Sequence, residues 1–301
     1  MRIQADNITK TYGPVTALDE LSLEIPSGTT FGVLGTNGAG KTTFFKLLVG
    51  HDRPDTGTLS VGGRTVSEAG REIRDRIGYL PERVGFPSGL TGREVLSFHA
   101  RMRGLPKDGR IAESLDTVGL SASEADRPVS GYSNGMRRRL GLAAAVLPRP
   151  PVLVLDEPTA GLDPRGVAEF HDIIDRVRTE TDATVVVTSH VLSEVEQLCD
   201  HAAILHSGTT VRSGPMSALI DTGTVTAELR PADPSSVDAL VDTATEFGTT
   251  VVLQGAVSVE CSPDDVPALL ERVADVAALD DVSVERAGLE GTFHETLEET
   301  A

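Results

Sequence analysis

Gly35-Thr36-Asn37-Gly38-Ala39-Gly40-Lys41-Thr42 lies between an apolar run, Phe31 to Leu34, and a helix-like run, Thr43 to Val49. The stretch fits the pattern G-x-x-x-x-G-K-[ST] in the strand-loop-helix setting that the pattern requires. A loop of this kind turns successive backbone N–H groups toward one point, and the helix behind it adds its positive end, so a polyphosphate is held largely by main chain. Glycines belong there because a Cβ would block the approach. On this reading Thr36, Asn37, Gly38, Ala39 and Gly40 form the cradle and Thr43 extends it into the helix. Lys41 reaches the β- and γ-phosphates and Thr42 offers its hydroxyl to Mg²⁺. A glycine-rich turn that merely caps a helix is the alternative, and the remaining sequence weighs on that choice.

With 301 residues, 39% of them hydrophobic, the chain has enough apolar matter for one large domain and a small one. It contains no run of eighteen apolar residues, and Met1-Arg2-Ile3-Gln4-Ala5-Asp6 lacks the charged-then-apolar layout of an export signal. A cytoplasmic protein is expected. Cys199 and Cys261 stand alone, without the spacing of a disulfide framework or a soft-metal site. The net charge of −18 is concentrated near the C-terminus: residues 221–301 carry 18 acidic and 3 basic side chains. Such a surface repels nucleic-acid phosphates, so no nucleic-acid partner is expected. Lysine occurs only at positions 10, 41, 46 and 107, with arginine carrying the remaining basic charge. A salt-adapted cytosol and a GC-rich genome both account for that bias.

Taken in order, Ile3, Ala5 and Ile8, then Leu21, Leu23 and Ile25, read as two half-buried strands around a loop that holds Tyr12, whose ring is suited to stacking on a nucleotide base. Ile77-Gly78-Tyr79-Leu80 ends abruptly in Pro81-Glu82, which places Glu82 at a strand end as either a solvated charge or a group near Mg²⁺. From Thr91 to Gly119 apolar residues recur at helical spacing, with a break at Gly104-Leu105-Pro106. Ser133-Asn134-Gly135 then precedes a helical segment, Arg137 to Leu147, a second helix start able to face an anion. Most of Arg137-Arg138-Arg139 is expected to face water, because three consecutive residues cannot share one helix face. Val152 to Leu155 reads as a buried parallel strand that delivers Asp156 and Glu157 to a sheet edge, and Thr184 to Val187 as another that delivers His190. Two adjacent carboxylates at such an edge are costly unless a cation or a proton transfer keeps them there. Asp156 is the candidate for holding Mg²⁺ and Glu157 for orienting or deprotonating water.

In this combination and order the chain resembles the ATP-binding subunit of an ABC transporter over residues 1 to about 220. Gly35 to Thr42 matches that family's Walker A loop, and Val152 to Glu157 its Walker B strand with the catalytic glutamate. Tyr12 matches the base-stacking aromatic, Ala160-Gly161-Leu162-Asp163 the D-loop, and His190 the switch histidine. Tyr132-Ser133-Asn134-Gly135-Met136 occupies the signature position, usually Leu-Ser-Gly-Gly-Gln, and Glu82 the position of the Q-loop glutamine. The resemblance implies an α/β P-loop NTPase cassette at 1–222, with a RecA-like core, a β subdomain and a helical subdomain at about 88–148. It further implies ATP and Mg²⁺ as cofactors, with Thr42, Glu82 and Asp156 toward the metal. A homodimer in the ATP-bound state would have Ser133 and Gly135 covering the partner's nucleotide. Integral membrane permease subunits on other chains would hold the protein peripherally at the inner face of the cell membrane. Gly78 to Phe86, Leu90 to Gly104 and Tyr132 to Leu142 look most like the exporter-type ATPase that serves copper-site maturation of nitrous-oxide reductase.

Residues 223–301 change pattern. Strand (Thr224 to Leu229), helix (Ser235 to Phe247), two strands meeting at Gly255, helix (Asp264 to Leu279) and strand (Val282 to Arg286) spell βαββαβ, with a last helix near Gly291 to Glu299. A small acidic α+β accessory domain of ferredoxin-like type is expected. A soluble, non-transport ABC ATPase and a nucleotide-dependent regulator are the competing functional readings.

Overall fold

The first antiparallel hairpin consists of β1 (Ile3–Tyr12) and β2 (Val15–Ile25). Its apolar alternation skips a step between Ala5 and Ile8 because the ladder is bulged there, with Asn7 at φ 48°. The computed structural model describes residues 1–220, 224–253, 255–286, 288, 289 and 293. β3 (Thr30–Gly35), buried throughout, runs through the glycine-rich loop into α1 (Lys41–Leu48). β4 (Thr56–Val61) and β5 (Arg64–Thr65) extend the hairpin into a sheet of order β2-β1-β4-β5. Two short helices, α2 (Val66–Ala69) and α3 (Arg71–Arg76), lead to β6 (Ile77–Leu80). A helical block follows: α4 (Gly92–Met102), α5 (Arg110–Thr117), α6 (Ala122–Ala125) and α7 (Asn134–Val146). β7 (Val152–Asp156), α8 (Pro164–Thr181), β8 (Thr184–Thr188), α9 (Leu192–Leu198), β9 (His201–His206), β10 (Thr209–Pro215) and α10 (Met216–Ile220) complete this part of the chain.

The second sheet has the order β10-β9-β3-β8-β7-β6, parallel except for the antiparallel β10. β3, β7 and β8 are buried at every position, which is why they read as unbroken apolar runs rather than alternating ones. β8 lies between β3 and β7, with Val33 and Asp156 both in register with Thr188. The carboxyl ends of three adjacent parallel strands therefore converge, the place where open α/β sheets bind ligands. α1 is held between the two sheets: Phe44, Phe45, Leu47 and Leu48 pack in one core with Leu21 and Leu59 on one side and Phe31, Val152 and Val186 on the other. That packing fixes the direction in which the start of α1 points. The helices expected from Thr91 to Gly119 are present as α4 and α5.

The trace separates into two compact units, Met1–Met216 and Ser217–Ala301. In the second, β11 (Val225–Pro231), α11 (Val237–Ala244), β12 (Gly248–Leu253), β13 (Ala256–Cys261), α12 (Val266–Val276) and β14 (Leu279–Arg286) form an antiparallel sheet of order β12-β13-β11-β14. Leu240, Leu269 and Val273 of the helices meet Ala227, Leu229, Val257 and Val259 of the strands in its core. The last long helix ends at Val276, short of the expected Leu279, which begins β14 and pairs with Pro231. The helix expected near Gly291 to Glu299 falls, apart from Phe293, outside the described residues. Among the described residues no helix is long and apolar enough to cross a membrane.

Candidate active site

The loop after β3 is built on glycine conformations. Gly38 and Gly40 sit at φ 88° and 103°. A Cβ at Gly40 would stand 2.7 Å from the Ala17 carbonyl oxygen and 2.6 Å from a Leu18 methyl, so both the dihedral and the space exclude a side chain. Gly40 is also the N-cap of α1, and no side chain caps it. The N–H groups of the first turn are thus left facing the cleft, with the positive end of the helix behind them. Lys41 is buried, and its Nζ donates to the carbonyls of Gly35 (2.6 Å) and Thr36 (3.2 Å), folding the lysine back over the loop. The cleft in front encloses about 530 Å³. Thr36 to Thr43 line one side, and Glu82, Asp156, Glu157, Ala160 and His190 another.

The carboxylates are held by β8. Thr188, 1% exposed, donates its hydroxyl to Asp156 Oδ1 at 3.0 Å and accepts the Glu157 N–H at 3.0 Å. Tyr79 reaches Asp156 Oδ2 more loosely, at 3.4 Å. Glu157 leaves the strand at φ 48°, a left-handed conformation uncommon for a residue with a side chain, and this turns its carboxylate into the cleft. The His190 N–H donates to Glu157 Oε2 at 3.2 Å. His190 Nε2 lies 3.4 Å from Oε1, but Oε1, though buried, has no hydrogen bond among the described residues. Burial pushes both carboxyls above their ordinary range. The Thr188 and Tyr79 hydroxyls oppose this at Asp156, and His190 and Lys41 oppose it at Glu157. Burial also lowers the Lys41 ammonium, against the attraction of Glu157 and Asp156. Three carboxylates, Glu82, Asp156 and Glu157, share the field of two buried cations, Lys41 and Arg138, and one carboxylate oxygen is orphaned, an arrangement that gains from a further cation and from water.

The other sequence-named residues do not line this cleft. Tyr12 does not line it. Its hydroxyl donates to Asp52 at 2.7 Å, the Lys10 ammonium sits 5.3 Å from its ring centroid, and the residue is 43% exposed. Ser133 is the N-cap of α7, accepting the Met136 N–H at 3.2 Å, and neither it nor Gly135 lines the cleft of its own chain. Arg138 corrects the expectation that the arginine run faces water. It is 6% exposed and donates to the carbonyls of Pro81 and Ala160. Arg139 is only partly exposed and pairs with Glu169. Thr188 was also missed as a functional residue; its role comes from its register opposite Asp156, which only the folded sheet sets.

Residues 18–160 match the profile of the ABC transporter family. The bacitracin transport ATP-binding protein BcrA of Bacillus licheniformis is 40% identical over 217 residues, 72% of this chain and 71% of that protein. The chain belongs to the ABC transporter family. The similarity to the daunorubicin/doxorubicin resistance ATP-binding protein DrrA of Streptomyces peucetius runs further, 36% over 254 residues, covering 83% of this chain and 76% of that one. Among solved structures, cbiO1 of Clostridium perfringens, part of the ABC transporter complex cbiONQ, superposes with a TM-score of 0.68 at 27% identity over 73% of this chain and 90% of that one. The first unit is thus an ABC ATPase cassette, and the chain is the ATP-binding, ATP-hydrolysing subunit of an ABC transporter. In this ABC ATPase the loop, the carboxylates and His190 gather around one cleft, which Ser133 and Gly135 do not line.

Proposed function

We propose that this ABC ATPase is the motor of an export system, acting as a head-to-tail dimer that encloses two ATP molecules. The observation that carries the proposal is the one-sided cleft: loop, carboxylates and His190 line it, but Ser133 and Gly135 of the same chain do not. A second copy, related by a twofold axis, would bring its own Ser133 and Gly135 over the nucleotide. The loop N–H groups and Lys41 then hold the phosphates, Tyr12 offers its ring to the base, and Thr42, Asp156 and Glu82 supply hard oxygen ligands to Mg²⁺. The donors fit that ion, since the negative charge of Glu82, Asp156 and Glu157 exceeds what Lys41 and Arg138 together offset. Mg²⁺, when bound, neutralises charge on the β- and γ-phosphate oxygens. Glu157 orients a water in line with the γ-phosphorus and takes up its proton as the new O–P bond forms and the bond to the β,γ-bridging oxygen breaks. His190, through its N–H on Oε2, keeps that carboxylate aimed.

Permease subunits on other chains would anchor the motor at the inner face of the cell membrane, with residues 1–222 as the cassette and 223–301 as an acidic ferredoxin-like accessory domain. The sheet order β12-β13-β11-β14 with both helices in one core supports that description of the second unit. Relatives named for bacitracin transport and for daunorubicin/doxorubicin resistance favour a drug as cargo. Service to copper-site maturation of nitrous-oxide reductase is the second reading, supported by the likeness of Gly78 to Phe86, Leu90 to Gly104 and Tyr132 to Leu142. Deleting the gene separates the two: drug sensitivity with intact nitrous-oxide reduction supports export, and the reverse supports maturation. The composite site is tested by mixing Lys41→Ala with Ser133→Arg chains, each inactive alone. Recovered turnover in the mixture supports sites shared between chains, and a silent mixture refutes them.

A further inference from the structure

The start of α7 is tied to the turn that follows Glu157 in the same chain. Asn134, at the first helical position, donates its Nδ2 to the Gly161 carbonyl at 3.0 Å. Arg138, one turn later on the same face, donates Nη2 to the Ala160 carbonyl at 3.4 Å and Nη1 to the Pro81 carbonyl at 3.2 Å. Two successive carbonyls of one turn are thus gripped by two side chains of one helix. The turn in turn closes on Glu157, because the Ala160 N–H donates to the Glu157 carbonyl at 3.2 Å.

Burying a guanidinium is costly, and Arg138 is 6% exposed. Glu82, Glu157 and Asp156 offset part of that cost by their negative charge. A hydrophobic residue would fill the space but could hold neither carbonyl. Asn134 stands where the signature usually has glycine, and its side chain supplies a bond that glycine cannot. Gly161, at φ 74°, comes so near that a Cβ there would stand 3.1 Å from Asn134 Nδ2.

We propose that Asn134 and Arg138 are positioning residues that clamp the turn Glu157–Leu162, so that the helix carrying Ser133 and the carboxylate of Glu157 move as one body. The inference rests on the motor reading above and adds to it an in-chain link: the helix end that reaches the partner's nucleotide is fastened to this chain's own base. Neither residue lines the cleft of the phosphate loop. Their loss therefore acts on the hydrolytic step rather than on nucleotide capture.

The test is steady-state turnover of Mg-ATP by the full chain carrying Asn134→Gly, Arg138→Lys, Arg138→Gln or the pair Asn134→Gly/Arg138→Gln. Asn134→Gly, at an exposed helix start where folding is not at stake, is expected to lower kcat about three- to tenfold with KM changed less than about twofold, as for loss of one hydrogen bond in the active arrangement. Arg138→Gln is expected to lower kcat further. Arg138→Lys keeps the charge but not the fork, so it restores part of the loss. The double variant should fall short of the product of the singles, because both grip one turn. A kcat at or above the original in Asn134→Gly, or equal damage from Arg138→Lys and Arg138→Gln, overturns the clamp. Absence of turnover in the unaltered chain overturns the motor reading itself, which distinguishes the two failures.

Discussion

Replacing Thr188 by Val removes one hydroxyl that serves both carboxylate-bearing residues at once. The two side chains are nearly the same shape and Thr188 is 1% exposed, so no large cavity opens and water does not readily replace the lost group. The Glu157 N–H loses its acceptor at 3.0 Å and Asp156 Oδ1 loses its donor at 3.0 Å. An unsatisfied buried N–H costs about 1–3 kcal/mol and a lost bond to a carboxylate about 1.5–3 kcal/mol. The added methyl returns about 1 kcal/mol, so the net destabilisation is about 1.5–5 kcal/mol. The pH dependence has a definite sign. Asp156 already has its pKa raised by burial, with the Thr188 bond working against that rise. Without the bond the pKa climbs further, and the folded state holds a proton that the unfolded state has released. Stability of the nucleotide-free variant therefore falls as pH rises from the ordinary carboxylate range through the raised value. The loss relative to the unaltered protein should be larger above the raised value than in the ordinary carboxylate range. Urea unfolding of the cassette followed by far-ultraviolet circular dichroism suits a chain without tryptophan. Thr188→Ser, which keeps the hydroxyl, is the control. A cost below about 0.5 kcal/mol, or one equal in both pH ranges, would refute the dual role.

Gly40→Ala combines a left-handed dihedral with a backbone clash and should cost about 2 kcal/mol or more while abolishing nucleotide binding, measured by denaturation midpoint and by titration with a fluorescent ATP analogue. Gly38→Ala, strained in φ but with nothing within 4 Å of the added carbon, should be the milder of the two in both assays. Truncation after Ile220 removes the second unit but none of the proposed site residues, so basal Mg-ATP turnover should persist; its loss would assign the acidic domain a direct part in forming the active dimer.

Local and periodic features were legible in the sequence. Gly35 to Thr42 announces itself because a phosphate cradle needs glycine at fixed spacing, and β7 and β8 do so because a strand covered on both faces must be apolar throughout. The βαββαβ order of the second unit followed from the same periodicities. Features set by contacts distant in sequence were not legible. Arg138 looks like a surface charge until Pro81 and Ala160 are folded around it. Thr188 looks like a strand residue until β8 is placed between β3 and β7. The long helix α8, which packs on α5 and α7, and the pair β9 and β10, which close one sheet edge, were not delineated in the sequence. The left-handed conformation of Glu157 is imposed by Thr188 and by the turn after it, and no residue type at position 157 signals it.

In the proposed motor a second copy completes the one-sided cleft. Glu157→Gln keeps the shape of the base but removes its capacity to accept the proton, so ATP should be bound and not consumed. Light scattering on the full chain carrying that change, with ATP and Mg²⁺ present, should give twice the monomer mass, and without nucleotide the monomer mass. A monomer under both conditions, or unimpaired ATP hydrolysis by the variant, would contradict it.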